Sequence, residues 1–295
     1  MSNYFTHTTL ILFVLMSTNM FAQSQLENNQ ESSLFGKQNL VAWCIVPFDA
    51  AKRSPEERAE MLAQLGFKRL AYDYRAEHIP TFDREIIALR KHNIELFAWW
   101  FPTVMNEEAK HILDVLRKNN EKPQLWVTGG GDLSMTPEQA EAFCTSEVER
   151  IRTIANAANE QGCKVGLYNH GGWFGVPKNQ VELIRRLDMP NVGIVYNLHH
   201  AHDQLDDLRD NLALMRPYLI AVNINGTETN GDKIGKKILP IGQGDLDRMM
   251  LKAILDSGYK GPIGILNHTD EDAKVRLEAN LNGLQKLVGQ LKSPK

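Results

Sequence analysis

The chain has 295 residues, with 33 Lys and Arg against 36 Asp and Glu, so its formal net charge is −3 at pH 7. The basic residues are scattered and form no cationic stripe of the kind that binds a phosphate backbone, which excludes nucleic acid as the expected partner. The length suits one domain.

The first 22 residues resemble a secretory signal peptide. An apolar run from Leu10 to Met16 is followed by polar residues and then by Ala22, a small residue suited to cleavage. The run is too short to span a bilayer comfortably, so no membrane association is expected after the signal is removed. Residues 23–38 read as a polar leader and residues 39–292 as the folded domain. The sequence therefore predicts an exported protein, periplasmic or secreted.

One pattern repeats eight times from about Val41 to Leu287: a short apolar run, a polar or glycine-rich break, and an amphipathic stretch. Short, densely apolar runs are typical of parallel strands buried on both faces. Their alternation with helices predicts an α/β fold, a single (β/α)8 TIM barrel. The predicted strands are Leu40–Val46, Arg69–Asp73, Ile94–Trp99, Leu125–Thr128, Val165–Tyr168, Gly193–Tyr196, Leu219–Ile224 and Ile263–Leu266.

Helix-start signals fall between the predicted strands. Ser54-Pro55 and Thr136-Pro137 each supply a capping hydroxyl and a proline at the first helical position. Further helices are expected to begin at Asp203 and at Gly244-Asp245, and the last is expected to run from Asp270 to about Leu291.

The three cysteines, Cys44, Cys144 and Cys163, show no CxxC spacing. Apolar packing is the expected role for most of them. A disulfide between Cys144 and Cys163 is left open, because sequence alone does not give the geometry.

The strand ends carry the candidate site, because a barrel of this kind builds its active site from the C-terminal ends of its strands and the loops that follow. Those positions are rich in amides, imidazoles and indoles. Such groups favour neutral, hydroxyl-rich ligands, since amides donate and accept hydrogen bonds while indole faces stack on sugar rings. We therefore expect a small-molecule carbohydrate as partner. The candidate substrate-binding residues are Asn169, Asn197, Asn223, Asn225, Asn267, His268, Trp173, Trp100 and Lys237.

Some of these positions have a structural alternative. Trp126 and one of the pair Trp99-Trp100 are expected to fill the barrel interior. Asp73 either pairs with Arg75 or takes part in catalysis. Lys237 is either an electrophile in the site or a solvated charge.

Five short segments between Leu167 and Asn267 resemble the motifs of one protein family and follow one another in the same order. They are Leu167–Gly172, similar to a fifth-strand Glu-Asn-His-x-Gly; Val195–His200, similar to a sixth-strand Asp-x-x-His; Ile220–Asn225, similar to a seventh-strand His-x-Lys-Asp; Leu239–Asp245, similar to a Pro-x-Gly-x-Gly connector; and Gly261–Asn267, similar to an eighth strand that ends in Glu. Through these segments the chain resembles the sugar phosphate isomerase/epimerase group, which has a xylose-isomerase-like barrel.

The departures from that family concern its metal site. The resemblance implies one divalent ion held by Glu, Asp, His and Glu on the fifth to eighth strands, whereas this chain has Tyr168, Asn197, Asn223 and Asn267 there. Neutral amides and a phenol bind hard divalent ions poorly, so no metal and no other cofactor is predicted. The three amides are instead expected to donate hydrogen bonds to an enediolate oxygen.

The histidines His170, His199, His200, His202 and His268 fall at or just beyond strand ends. A lone histidine is most often a hydrogen-bonded structural residue. His200 stands at the histidine of the family's Asp-x-x-His, which favours a catalytic role, and His170 follows it closely. A relocated metal site made by His170, His200 and His268 stays open as an alternative.

The resemblance implies an enzyme that moves a proton next to the carbonyl of an unphosphorylated sugar or keto-sugar, in isomerisation, epimerisation, or a related elimination or hydration. His200, His170 and Asp73 are the predicted catalytic residues. A non-catalytic carbohydrate-binding barrel remains the alternative. The sequence predicts no oligomeric state.

Overall fold

The computed structural model describes residues 34–292, which form a closed barrel of eight parallel strands in sequence order. This confirms the predicted TIM barrel. The strands are β1 (Leu40–Trp43), β2 (Arg69–Tyr72), β3 (Glu95–Trp100), β4 (Gln124–Val127), β5 (Lys164–Tyr168), β6 (Val192–Asn197), β7 (Leu219–Ile224) and β8 (Ile263–Leu266).

Helices follow the strands and cover the outside of the barrel. They are α1 (Pro55–Leu65), α2 (Phe82–Lys91), α3 (Glu107–Asn119), α4 (Pro137–Glu160), α5 (Pro177–Leu187), α6 (Leu208–Met215), α7 (Asp247–Asp256) and α8 (Ala273–Lys292), and a single helical turn, Gly231–Ile234, lies in the connector between β7 and α7. Within residues 34–292, none of these helices is long and apolar enough to cross a membrane.

The predicted helix starts are confirmed at α1 and α4. Ser54 caps α1 and Thr136 caps α4, each by accepting a backbone hydrogen bond from the third residue of its helix. The start predicted at Asp203 is wrong, because that segment forms a 3-10 turn, His202–Gln204, without a side-chain cap, and α6 begins only at Leu208.

The predicted signal peptide, residues 1–22, lies outside the described residues, as does most of the leader. The end of the leader range is packed: Leu34 and Phe35 are buried in the main core beneath the helices. All three cysteines are buried free thiols, so the disulfide left open between Cys144 and Cys163 is not formed.

Four aromatic side chains fill the middle of the barrel, and we call them the aromatic cluster: Trp43, Trp100, Trp126 and Tyr168. The ring centroids of Trp43 and Trp126 are 4.1 Å apart, and those of Trp100 and Trp126 are 4.7 Å apart. The Tyr168 ring lies 6.0 Å from the rings of Trp43 and Trp126. Trp126 therefore fills the interior as predicted. Trp99 packs outside the strands, with its ring 4.7 Å from that of the first residue of α2.

Two glycines make room for the aromatic cluster. A Cβ atom on Gly264 would lie 2.2 Å from Cε3 of Trp43, and one on Gly166 would lie 2.6 Å from Cδ1 of Trp126. Real side chains do not approach that closely, so each indole occupies the space above a glycine of β8 or β5. The small residues and the large rings depend on one another.

We expect Gly264→Ala to destabilise the fold, because the added methyl group would collide with a buried indole that has no room to move. Overpacking of this kind lowers the free energy of unfolding by about 1–3 kcal/mol. Urea unfolding of the variant measures the loss. The control is Gly130→Ala, where an added Cβ meets no atom within 4 Å. Equal stability of the two variants would contradict the packing described here.

Candidate active site at the carboxyl end of the barrel

Four histidine rings adjoin one another at the C-terminal ends of the strands, and we call them the imidazole cluster: His170, His199, His200 and His268. The ring centroids of His170 and His200 are 4.5 Å apart, as are those of His199 and His200. The ring of His268 lies 5.3 Å from that of His199. The barrel thus brings together residues from the loops after β5, β6 and β8. Among residues 34–292, no three His, Cys, Asp or Glu side chains are placed as a metal site, and the imidazole cluster is no exception.

Local backbone structure holds two of these rings in place. His199 and His200 lie in a 3-10 turn, Leu198–His200, directly after β6. The side-chain Oδ1 of Asn197 accepts a hydrogen bond of 3.0 Å from the backbone N of His199 and so caps the turn. An Asn at the end of a strand is well suited to this, because its short side chain reaches the N–H two residues on.

Phe48 supports the imidazole cluster, and sequence reasoning missed it. Its ring centroid lies 3.9 Å from that of His268. The sequence placed the end of the first strand at Val46, whereas β1 ends at Trp43. Phe48 therefore belongs to the loop that follows β1. If the predicted strand had ended at Trp43, Phe48 would have been counted among the site residues.

The buried imidazoles are held in their neutral form. Burial, followed by the positive charge of neighbouring groups that include Lys237, lowers the pKa of His199 to about 2 and that of His200 to about 3. Burial also lowers the pKa of His202 and of His268. Near neutral pH each of these rings therefore offers one N–H donor and one bare nitrogen acceptor.

The pKa of Asp73, a residue just after β2, is shifted in the opposite direction. Its side chain is 1% exposed, and burial raises its pKa to about 7, opposed by a hydrogen bond from the backbone N of Val46 and by the charge of Arg75. Oδ1 accepts that bond at 3.2 Å, while Oδ2 has no hydrogen-bond partner among residues 34–292. Burial, followed by the neighbouring Asp73 carboxyl, raises the pKa of the Cys44 thiol. Asp73 thus has a pKa close to neutral, and one of its carboxyl oxygens has no hydrogen-bond partner.

The ion pair considered for Asp73 and Arg75 is not formed. Nη1 of Arg75 donates instead to the backbone carbonyls of Asp73, at 3.0 Å, and Tyr74, at 2.8 Å. The guanidinium lies over the ring of Phe48, 5.4 Å from its centroid. Arg75 therefore brings its charge to the neighbourhood of the imidazole cluster without a carboxylate partner.

Three predicted site amides are bonded within the protein, and we call this set with Tyr168 the amide chain. Nδ2 of Asn197 donates to Oη of Tyr168 at 2.6 Å, and Nδ2 of Asn223 donates to Oδ1 of Asn197 at 2.7 Å. Asn169 exchanges two hydrogen bonds with the backbone of Asn197, at 3.1 Å and 2.7 Å. All four side chains are buried. These side chains therefore connect β5, β6 and β7 through their amide groups.

Asn267 and Asn225 lie apart from the amide chain. Nδ2 of Asn267 donates to the backbone O of Phe48 at 2.8 Å and ties β8 to the loop after β1. Nδ2 of Asn225 donates to the carbonyl of Lys237 at 2.8 Å and holds the connector after β7. The side chain on β8 that joins the barrel interior is Leu266. The structure therefore does not bring the amide groups of Asn197, Asn223 and Asn267 together at one point.

The remaining predicted residues are placed as follows. Trp100 is half-buried, with its ring edge-on to Trp43, and lies at the open end of the aromatic cluster. Trp173 is also half-buried, but its described ring contact is with Phe143 of α4, at 5.4 Å, and not with the imidazole cluster. Lys237 is half-buried and acts through its charge on His199, His200, His202 and His268.

The residues present do not fit the divalent ion that the family resemblance implies. Burial raises the pKa of Tyr168, so its phenol stays neutral. Its Oη and the Oδ1 of Asn197 already accept hydrogen bonds from amide groups. On β8 the interior position is the apolar Leu266. Neutral amide and phenol oxygens, without a carboxylate or an imidazole among them, offer a hard cation little compensation for lost hydration.

We expect the depressed pKa of His199 to make the protein sensitive to acid. Below about pH 6.5 the unfolded chain binds a proton at this residue and the folded chain does not, so stability falls as the pH is lowered towards 2. In His199→Gln this loss is absent. Between pH 7 and pH 5 the free energy of unfolding of the wild type should therefore fall by about 2 kcal/mol more than that of the variant.

Denaturant unfolding at the two pH values measures this difference. The control is His111→Gln, at an exposed position on α3, which tests whether the loss of any histidine has the same effect. Parallel pH dependences of the wild type and His199→Gln would show that the His199 ring is not held neutral.

Comparisons with known proteins agree with the fold. A model of the xylose isomerase-like TIM barrel family matches residues 92–287. An uncharacterized protein of Methanocaldococcus jannaschii is 26% identical over 128 residues, which cover 42% of this chain and 43% of that protein. The chain thus spans less than half the length of that curated relative.

Three solved structures share the fold at 15% identity. The 3-keto-D-glucoside 4-epimerase from E. coli has a TM-score of 0.63, with 85% of this chain and 99% of that chain covered. The probable 3-DHS dehydratase of petrobactin synthesis from Bacillus anthracis has a TM-score of 0.65, with 84% and 98% covered. The D-psicose 3-epimerase from Clostridium cellulolyticum, solved with D-tagatose, has a TM-score of 0.59, with 86% and 98% covered. With a family model that matches most of its length, the chain belongs to the xylose isomerase-like TIM barrel family.

Proposed function

We propose that this protein is an enzyme that moves a proton at the carbon next to the carbonyl of an unphosphorylated sugar or keto-sugar, in isomerisation, epimerisation, or a related elimination or hydration. The observation that carries the proposal is the imidazole cluster, in which the pKa of His200 is lowered to about 3, at the same end of the barrel as Asp73, whose pKa burial raises to about 7. Structural relatives that are sugar epimerases and a dehydratase support the substrate class. From the signal-peptide pattern of residues 1–22, we also propose that the enzyme acts after export.

Asp73 is the proposed proton carrier. A general base works best when its pKa lies near the working pH, because it is then both available and strong enough. With a pKa of about 7, the Asp73 carboxyl can accept a proton from carbon and return it at a later step. Its unpartnered Oδ2 is the atom proposed to do so.

The imidazole cluster is proposed to stabilise the enediolate that forms when the proton leaves. A neutral imidazole with a depressed pKa can polarise a carbonyl through its N–H without giving the proton up. His200, whose pKa is lowered, is the proposed donor of this kind. His170, whose ring lies 4.5 Å from that of His200 and which is exposed at the open end, is proposed as a second contact to the enediolate. One well-placed donor of this kind is worth about 3 kcal/mol in the transition state. In this scheme the rings, and not the buried amide chain, do the work expected of a metal.

Exchange of substrate hydrogen for deuterium tests the proposal. Purified protein is incubated in D2O with a panel of ketoses, aldoses and keto-sugars, and incorporation next to the carbonyl is followed by NMR. We expect His200→Ala to lower the exchange rate about 100-fold or more while sugar binding stays measurable, because a positioned proton-transfer or donor group contributes at least that much. In the wild type the exchange rate should change with pH near 7, where Asp73 titrates, and Asp73→Asn should abolish the exchange.

The matched control is His111→Ala, the same substitution on the outer surface of α3. Unchanged exchange in His200→Ala would contradict the assignment of that residue. Sugar binding without exchange across the whole panel would favour the alternative, a carbohydrate-binding barrel without catalysis.

A further inference from the structure

Two cations at the mouth of the barrel have no carboxylate partner. The ion pairs formed among residues 34–292 include neither Arg75 nor Lys237. Lys236, directly before Lys237, shows the usual arrangement, since its Nζ pairs with Oε1 of Glu228 at 2.8 Å. The adjacent lysine is thus neutralised on the outside, while Lys237 is half-buried beside the imidazole cluster.

Both cations act on the imidazole cluster. The Arg75 guanidinium lies 5.4 Å from the centroid of the Phe48 ring, and that ring lies 3.9 Å from the ring of His268. His268 is one of the imidazoles on which the charges of Arg75 and Lys237 both act. The carbonyl of Lys237 is fixed by Asn225, which holds this residue above the end of β7. The two positive charges therefore both act on the imidazole cluster, and His268 is the ring on which they act together.

Two histidines on which the charge of Lys237 acts each have a ring nitrogen without a hydrogen-bond partner among the described residues. His199 is 7% exposed, and its Nδ1 has no hydrogen-bond partner among the described residues. Nε2 of His202 is in the same condition. A buried polar atom without a partner is costly, and in a native protein it commonly marks the place of an absent ligand or water.

The nearby carboxylates do not balance these charges. Asp203 and Asp232 act on His202, and Asp270 acts on His268, but each stands beyond the ion-pair distance of Arg75 and Lys237. Asp73 is buried below and has a raised pKa, so it carries only part of a negative charge at neutral pH. The open end of the site is left with two cations that no carboxylate of the described residues pairs, which is an environment that binds an anion.

We propose that the substrate is a sugar acid, whose carboxylate is held by Lys237 and Arg75 while its keto end lies at the imidazole cluster. The inference rests on the proposed function, from which it takes the unphosphorylated keto-sugar. Because that substrate carries no phosphate, the anionic group is a carboxylate. A lysine and an arginine give such a group short, charge-assisted hydrogen bonds.

Binding of matched ligands by calorimetry tests the proposal. D-Fructose, D-fructuronate and D-fructose 6-phosphate share one skeleton and differ only in the hydroxyl, carboxylate or phosphate at the terminal carbon. D-Tagatose and its uronate and 6-phosphate form a second set. We expect a uronate to bind about tenfold or more tightly than the neutral sugar of its set, and Lys237→Met to remove that preference, as loss of one charge-assisted hydrogen bond would.

The control variant is Lys236→Met, which removes a lysine at the next position and should keep the preference. Equal affinity for the uronate and the neutral sugar, no binding of either uronate, or a phosphate ester that binds more tightly than the uronate would each overturn the proposal. Retention of the preference in Lys237→Met would overturn the role of that residue.

The two proposals fail in different ways. Deuterium exchange on neutral keto-sugars with no preference for acids would overturn the sugar-acid proposal and leave the proposed reaction standing. Tight, Lys237-dependent binding of a uronate without exchange would support the acid site and contradict the proposed reaction.

Discussion

The packing of three indoles and a phenol through the middle of the barrel is the constraint on which the rest of the structure depends. The ring centroids of Trp43 and Trp126 lie 4.1 Å apart, and the two indoles fit there only because Gly264 and Gly166 have no side chain in the space that the rings occupy. With the interior filled by rings, the strand ends above it are cut off from water on one side. Every polar side chain at that level must find a partner in the protein or shift its protonation.

Both outcomes are present at the carboxyl end. At the level where the family resemblance implies a metal, the amide of Asn197 bonds to the Tyr168 phenol and accepts a hydrogen bond from Asn223, while Oδ1 of Asn223 has no partner among the described residues. The pKa values of His200 and Asp73 shift instead, to about 3 for His200 and about 7 for Asp73. Pairs of groups whose environments separate their pKa values in this way are typical of acid–base sites. Burial of this end of the barrel thus gives His200 a neutral N–H donor and leaves Asp73 with a pKa close to neutral.

Sequence reasoning predicted the fold and the meeting of the histidines, because strand ends of a parallel barrel must share one face. It could not predict which side chains of β8 face the barrel interior, because a strand buried on both faces shows no alternation of polar and apolar residues. Asn267 was therefore expected at the interior position that Leu266 occupies. It could not foresee that Asn197 and Asn223 would bond to one another, because their register across β6 and β7 follows from an irregularity between Ile194 and Val195. Trp173 was expected as a sugar platform, and its packing against Phe143 depends on a long-range contact between two loops and a helix.

The central claim is that the barrel end works through neutral imidazoles and a buried carboxyl where its family resemblance implies a divalent ion. The most direct test is the metal content of the purified protein, measured by mass spectrometry together with thermal unfolding in manganese, zinc, magnesium or a chelator. The account predicts far less than one metal per chain and a melting temperature that none of these additions changes. One bound equivalent of metal, with a melting temperature lowered by the chelator, would contradict it.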